Sequence, residues 1–147
     1  MTGIDSIQKE LHSLGSPEKA AFLSRFFKTG KGQYGEGDLF LGITMPEIRS
    51  VVAKYAYLSI LEWQALLSSP YHEIRMASLI GLMKHFQKSK KDPAAQKQIF
   101  DFYLSHLDYI NNWDLVDVTC RDIVGAYLLK QDRNILYDLA QRPHLWA

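Results

Sequence analysis

The chain has 147 residues, of which 47% are hydrophobic and 22% charged, an ordinary composition for one soluble globular domain with a packed core. The 17 Lys and Arg residues balance the 16 Asp and Glu residues, so overall charge gives no argument for a nucleic-acid or membrane partner. The single cysteine, Cys120, excludes an internal disulfide and fits a cytoplasmic location, and no apolar run approaches the ~20 residues of a membrane span.

Helical periodicity dominates the chain from its first residues. Apolar side chains recur at helical spacing, and several of the segments begin at a cap signal such as Ser16-Pro17 or Asp92-Pro93. The predicted helices span residues 4–14, 16–27, 44–55, 59–67, 69–86, 93–107, 113–129 and 133–140. Only residues 39–43 resemble a strand, and loops flank them, so we expect an all-α fold.

The sequence also echoes itself at a shift of 44 residues, which aligns Glu73 with Asp117 and Gly81 with Gly125. A glycine inside a helix costs about 1 kcal/mol relative to alanine, so the two glycines predict close helix packing at equivalent places. The period lies within the ~40–47 residues of HEAT-type repeats, which stack into a curved solenoid with a concave binding face. The alternative is a chance match between two apolar helices.

The glycine-rich segment GKGQYG, residues 30–35, matches the letters of the dinucleotide-binding fingerprint. A helix precedes it where that fingerprint needs a strand, and no Gly-Lys pair is followed by Ser or Thr, so we reject nucleotide binding. Two interpretations remain: a flexible loop whose bare amides approach phosphates together with Lys28 and Lys31, and a plain connector. The histidines and Cys120 lack metal-ligand spacing, so no metal site is predicted. The lysines after the fifth predicted helix are interpreted as a solvated helix end: Lys88, Lys90 and Lys91.

The segment INNWDLVD, residues 110–117, gathers polar groups around an indole at a predicted helix start. An asparagine can cap the helix, and Asp114 suits its positive end. Trp113 and Asp117 are four residues apart and share a helix face, with Arg121 four residues further on. One interpretation is a half-buried aromatic beside an exposed Asp117–Arg121 pair. The other is a cation site, because an indole face next to a carboxylate attracts positive charge.

Four separated segments together resemble the DNA alkylation repair family, the HEAT-like-repeat DNA glycosylases of the AlkD type. They are FFKTGKGQYGEGDLFLGI (residues 26–43), PEIR (46–49), HEIR (72–75) and INNWDLVD (110–117). The resemblance runs over residues 18–146, almost the whole chain. It implies a DNA glycosylase without metal or organic cofactor that excises cationic alkylated purines, such as 3-methyladenine and 7-methylguanine, from double-stranded DNA.

The resemblance also implies roles for particular residues. Asp117 matches the aspartate that stabilises positive charge on the sugar and positions the water. Trp113 matches the aromatic that packs near the sugar of the lesion, and Phe26 matches a second aromatic wall of the same cleft. Lys28, Lys31 and Arg121 are our candidates for phosphate contacts.

The chain departs from the family in length. Relatives are longer, and they carry a functional arginine just after a tryptophan that matches Trp146. We therefore expect residues 1–147 to form a single HEAT-like repeat domain that is the amino-terminal part of a longer fold. We also expect weak activity or none, and we expect the chain to self-associate through its exposed carboxyl-terminal end. The alternative function is a non-catalytic HEAT-like scaffold that binds DNA or protein on its concave face.

Overall fold

The computed structural model of the chain describes residues 1–147 and is all-helical, as the periodicity predicted. The α-helices, in chain order, are α1 (Gly3–Leu14), α2 (Pro17–Phe26), α3 (Met45–Lys54), α4 (Ile60–Leu66), α5 (His72–Lys88), α6 (Pro93–Ser105), α7 (Trp113–Cys120), α8 (Ala126–Leu128) and α9 (Ile135–Gln141). A short 3₁₀ turn spans Leu107–Tyr109, and a π-helical segment, Arg121–Gly125, joins α7 to α8. None of the helices combines the length and the apolar character that a membrane span requires.

Local capping chemistry explains where several helices begin. The hydroxyls of Thr44 and Ser59 precede α3 and α4, and the carboxylates of Glu47 and Glu62 reach back to the backbone amides of those two caps, at 2.8 and 2.9 Å. These hydrogen bonds lower the pKa of both carboxyl groups below the usual range. Such boxes satisfy amide groups that the first helical turn leaves without partners.

The chain divides into two compact units, an amino-terminal unit of Met1–Leu82 and a carboxyl-terminal unit of Met83–Ala147. In the amino-terminal unit, α1 packs against α3 and α4. Its fully buried side chains include Ile7, Leu11, Val52, Trp63 and Leu79. In the carboxyl-terminal unit, α6 packs against the π segment and α8, around buried side chains that include Ile99, Tyr103, Leu115 and Ile123.

The two echoed glycines differ in their surroundings. A Cβ on Gly81 would lie 2.2 Å from the nearest ring atom of Trp63, so the indole packs directly on the bare backbone. A Cβ on Gly125 would meet nothing closer than 3.9 Å. The prediction of close packing is therefore confirmed at Gly81 and wrong at Gly125, which instead ends the π segment.

Helix α5 begins later than its sequence signal indicated. Ser69-Pro70 predicted the start, but the helix begins at His72. Leu39 donates its amide to the Pro70 carbonyl (3.2 Å) and accepts from the His72 amide (2.9 Å), which forms a single bridge with Tyr71. This contact from the loop before α3 holds the backbone out of the helix.

Candidate active site

Helix α7 begins within the INNWDLVD segment, and much of its polarity serves the helix start. The side-chain oxygen of Asn112, which is fully buried, accepts a hydrogen bond from the Trp113 amide at 3.0 Å. Asp114 in the first turn accepts from the Leu115 amide at 2.8 Å. Asn112 is thus the capping asparagine, and these two side chains need no ligand to explain them.

Trp113 and Asp117 remain after the capping groups are accounted for. Trp113 is 37% exposed, and Asp117 is exposed on the next turn of the same helix face. Positions four apart on a helix place their Cβ atoms about 5–6 Å from each other. The carboxylate of Asp117 makes no hydrogen bond or ion pair with another residue of the chain. The surface therefore presents an indole and an uncompensated carboxylate side by side, which is a favourable environment for a cation.

Arg121 does not neutralise that carboxylate. Its Nε donates to Oδ1 of Asp122 at 3.0 Å, and this contact raises the pKa of the guanidinium. The interpretation of Asp117 and Arg121 as an exposed ion pair, one of the two drawn from the sequence, is therefore wrong. The π segment begins at Arg121 and changes the spacing of side chains along the helix, and single π turns of this kind occur frequently at functional sites.

Phe26 lies at the end of α2 in the amino-terminal unit, and the residue is 51% exposed. Its ring stacks on the exposed ring of Phe22 at a centroid distance of 6.1 Å and meets buried Phe27 edge-on at 5.1 Å. The contact with a core residue fixes Phe26 in place. The result is a two-ring aromatic surface open to solvent.

The glycine-rich loop is closed by its own hydrogen bonds. Three of its backbone amides donate hydrogen bonds within the loop. The Gly30 amide donates to Gln33 Oε1 at 2.9 Å, the Gly32 amide to Glu36 Oε2 at 2.8 Å, and the Gly35 amide to the Lys28 carbonyl at 3.0 Å. The interpretation of these amides as bare is wrong. Lys28 adopts a left-handed conformation with φ of 57°, and the side chains of Lys28 and Lys31 are exposed. Any contact of this loop with phosphates is thus expected from the lysines.

The HEIR segment forms a buried polar cluster that the sequence reasoning did not identify. Glu73 is 2% exposed, and its carboxylate accepts from the amides of Leu41 (2.9 Å), Gly42 (2.9 Å) and Ile43 (3.4 Å). Arg75 is also buried and pairs with Asp38 at 2.8 Å. The cluster fastens the loop of residues 38–43 to α5. Charged residues within the almost continuous apolar run of this helix were the available signal.

The candidate residues fall into two groups. Phe26, Lys28 and Lys31 belong to the amino-terminal unit, and Trp113, Asp117 and Arg121 belong to the carboxyl-terminal unit.

No group of three or more His, Cys, Asp or Glu side chains is arranged to hold a metal ion. Cys120 is half-buried, and burial raises the pKa of its thiol.

Comparison with known proteins gives one finding. The model of a family described as DNA alkylation repair enzyme matches residues 7–147. No curated protein and no solved structure matches the chain. The matched span includes every candidate residue of both groups.

Proposed function

The chain belongs to the DNA alkylation repair enzyme family, and we propose that it is a DNA glycosylase for cationic N3- and N7-alkylated purines in double-stranded DNA. We also propose HEAT-like repeats for its helices, supported by the 44-residue echo of the sequence. One observation carries the proposed activity. The carboxylate of Asp117 is exposed, has no partner within the chain, and follows an exposed indole by one helical turn.

The proposed reaction suits a lone carboxylate. Alkylation gives the base a positive charge, so the bond between sugar C1′ and the base nitrogen breaks with its electron pair moving to the base, which departs neutral. Positive charge then develops on the deoxyribose, where the negative charge of Asp117 stabilises it. Water adds its oxygen to C1′ and loses a proton to the carboxylate or to solvent, which leaves an abasic site.

The other residues have binding roles in this proposal. Trp113 faces the cationic base or sugar, where an indole contributes about 0.5–2 kcal/mol through cation–π attraction. Phe26 supplies an exposed aromatic surface of the amino-terminal unit for contact with the DNA. Lys28, Lys31 and Arg121 contact phosphates of the duplex, and all three have exposed side chains.

The test is release of 7-methylguanine from methylated duplex DNA by the unchanged chain and by Asp117→Asn. Two unit charges about 4 Å apart interact by about 1 kcal/mol in water and about 4 kcal/mol at an effective dielectric of ~20. Because 1.36 kcal/mol corresponds to a tenfold change in rate, the single-turnover rate of the variant should be lower by between about fivefold and 10³-fold. The loss should approach the upper limit if bound DNA excludes water from the site. Because Asp117 has no internal partner, the melting temperature should not change.

A matched control is Asp138→Asn, which removes another exposed carboxylate of the same unit that has no partner within the chain. It should keep the full rate. Equal release by all three proteins would refute the role of Asp117. Binding of duplex DNA without any release by the unchanged chain would favour a non-catalytic scaffold.

A further inference from the structure

A second polar surface lies in the carboxyl-terminal unit, between the start of α6 and the end of α8. It is a groove of about 590 Å³ whose lining includes Lys90, Lys97, Tyr127, Lys130 and Gln131. The groove is far larger than a single phosphate group. Three of its lining residues are cationic and none is acidic.

The lysine charges remain available within this groove. Lys90 and Lys130 form no ion pair, and Lys97 pairs with Asp101 one helical turn away. Both members of that pair are exposed, with 61% and 53% of their side chains accessible, so water screens the attraction. The hydrogen bond with Asp101 raises the pKa of Lys97, so the ammonium stays charged.

The helix ends around the groove add to its positive character. The first turn of α6 lines it, and a helix amino terminus carries a partial positive charge, here partly offset by the Asp92 cap. The carbonyls at the end of α8 would contribute the opposite sign. Arg133 covers them, because its guanidinium donates to the carbonyls of Leu128 (3.3 Å) and Leu129 (3.4 Å).

The neutral lining residues supply hydrogen-bond donors. The ring of Tyr127 stacks on Phe100 at a centroid distance of 4.2 Å, which fixes the ring and the direction of its hydroxyl. Gln131 adds an exposed side-chain amide next to Lys130. Cations and neutral donors drawn from three chain segments suit an extended chain of phosphodiesters better than a compact anion.

We propose that this groove, defined by Lys90, Lys97 and Lys130, binds the sugar-phosphate backbone of duplex DNA away from the lesion. The inference rests on the proposed function. Tyr127 follows Trp113 by 14 residues along the continuous α7, π and α8 helix, which corresponds to about 20 Å. At about 3.4 Å per base pair, that reach places the contact up to about six base pairs from the damaged nucleotide. Lys90, interpreted from the sequence as part of a solvated helix end, therefore has a proposed DNA-binding role.

The experiment measures DNA affinity by fluorescence anisotropy between 50 and 200 mM salt, with a 20-base-pair duplex, for the unchanged chain and for Lys90→Gln/Lys97→Gln/Lys130→Gln. Each lysine that contacts a phosphate contributes about 0.9 to the slope of log affinity against log salt, so the triple variant should lose about 2 to 3 in slope. Lys9→Gln, an exposed lysine of the amino-terminal unit, is the control and should leave the slope unchanged. Circular dichroism checks that each variant is folded.

The outcomes separate the two proposals. A reduced slope in the triple variant, with an unchanged slope in the control, supports the groove. The same slope in the folded triple variant as in the unchanged chain would overturn the groove and leave the proposed glycosylase standing. Failure of the unchanged chain to bind duplex DNA would overturn both.

Discussion

Alanine substitution at the two echoed glycines should change stability in opposite directions. At Gly81 the added Cβ would lie 2.2, 2.4 and 2.5 Å from three ring atoms of Trp63, whereas unstrained carbon contacts are about 3.5–4.0 Å. Trp63 is 1% exposed, and its backbone carbonyl accepts a 2.6 Å hydrogen bond from Ser78, so the indole can give way only by displacing neighbouring buried groups. At Gly125 the nearest atom would be 3.9 Å away, an ordinary contact.

The magnitudes follow from two terms. Replacing a helical glycine with alanine stabilises by about 0.5–1 kcal/mol, while forcing extra volume into a packed core costs about 1–3 kcal/mol. Gly125→Ala should therefore stabilise the folded chain by about 0.5–1 kcal/mol. Gly81→Ala should destabilise by up to about 2.5 kcal/mol after the helical gain is subtracted. A protein of this size shifts its melting temperature by about 2–4 °C per kcal/mol.

Thermal unfolding followed by circular dichroism at 222 nm measures both variants. A double-mutant cycle adds Trp63→Leu, which should cost less in the Gly81→Ala background than alone, because the added methyl group fills part of the space left by the indole. Equal stabilisation by the two alanine substitutions would refute the close packing of Trp63 on Gly81.

Two further predictions concern buried polar groups. Glu73→Gln should destabilise the chain by about 1.5–3 kcal/mol in urea unfolding, because a neutral amide cannot replace a carboxylate that accepts hydrogen bonds from three backbone amides. The control is Glu47→Gln, which keeps its capping geometry and should cost far less. Burial raises the pKa of Tyr103 above its ordinary value of about 10, so the neutral phenol stabilises the folded state. This stabilisation is fully present below about pH 10 and is lost as the pH rises towards the higher pKa of the folded state. Urea unfolding at pH 9 and pH 11 should show a smaller loss for Tyr103→Phe, and an equal loss would exclude Tyr103 as the cause.

The parts of the fold that follow from the sequence are those decided within a few residues. Thr44-Met45-Pro46-Glu47 and Asp92-Pro93 place caps and prolines at the first turns of α3 and α6, and both helices begin there. A cap acts over three residues, so its signal is visible in any short window. The spacing of apolar residues likewise predicts a helix, because that spacing can be recognised without knowing which surface the helix packs against.

The errors arise where a distant segment or a change of helical period intervenes. Ser69-Pro70 is a reasonable start signal, but Leu39, some 30 residues earlier in the chain, pairs with that backbone and delays α5 to His72. Counting four residues from Asp117 favours a pair with Arg121, which is one of the two interpretations of this segment. The π segment starts at that position, and the guanidinium binds Asp122. Neither effect is contained in local residue spacing.

Glu73 and Asp117 occupy the same position of the sequence echo, 44 residues apart, yet only one of them is available for chemistry. The loop of residues 41–43 supplies three amides to Glu73, so its charge is buried and committed to holding that loop. No comparable segment satisfies Asp117, which remains exposed and unpaired on the turn after Trp113. A carboxylate that is exposed and has no partner within the protein can approach a substrate, whereas a buried one that accepts three amide hydrogen bonds cannot. This difference in backbone coverage assigns the catalytic proposal to Asp117 rather than to Glu73.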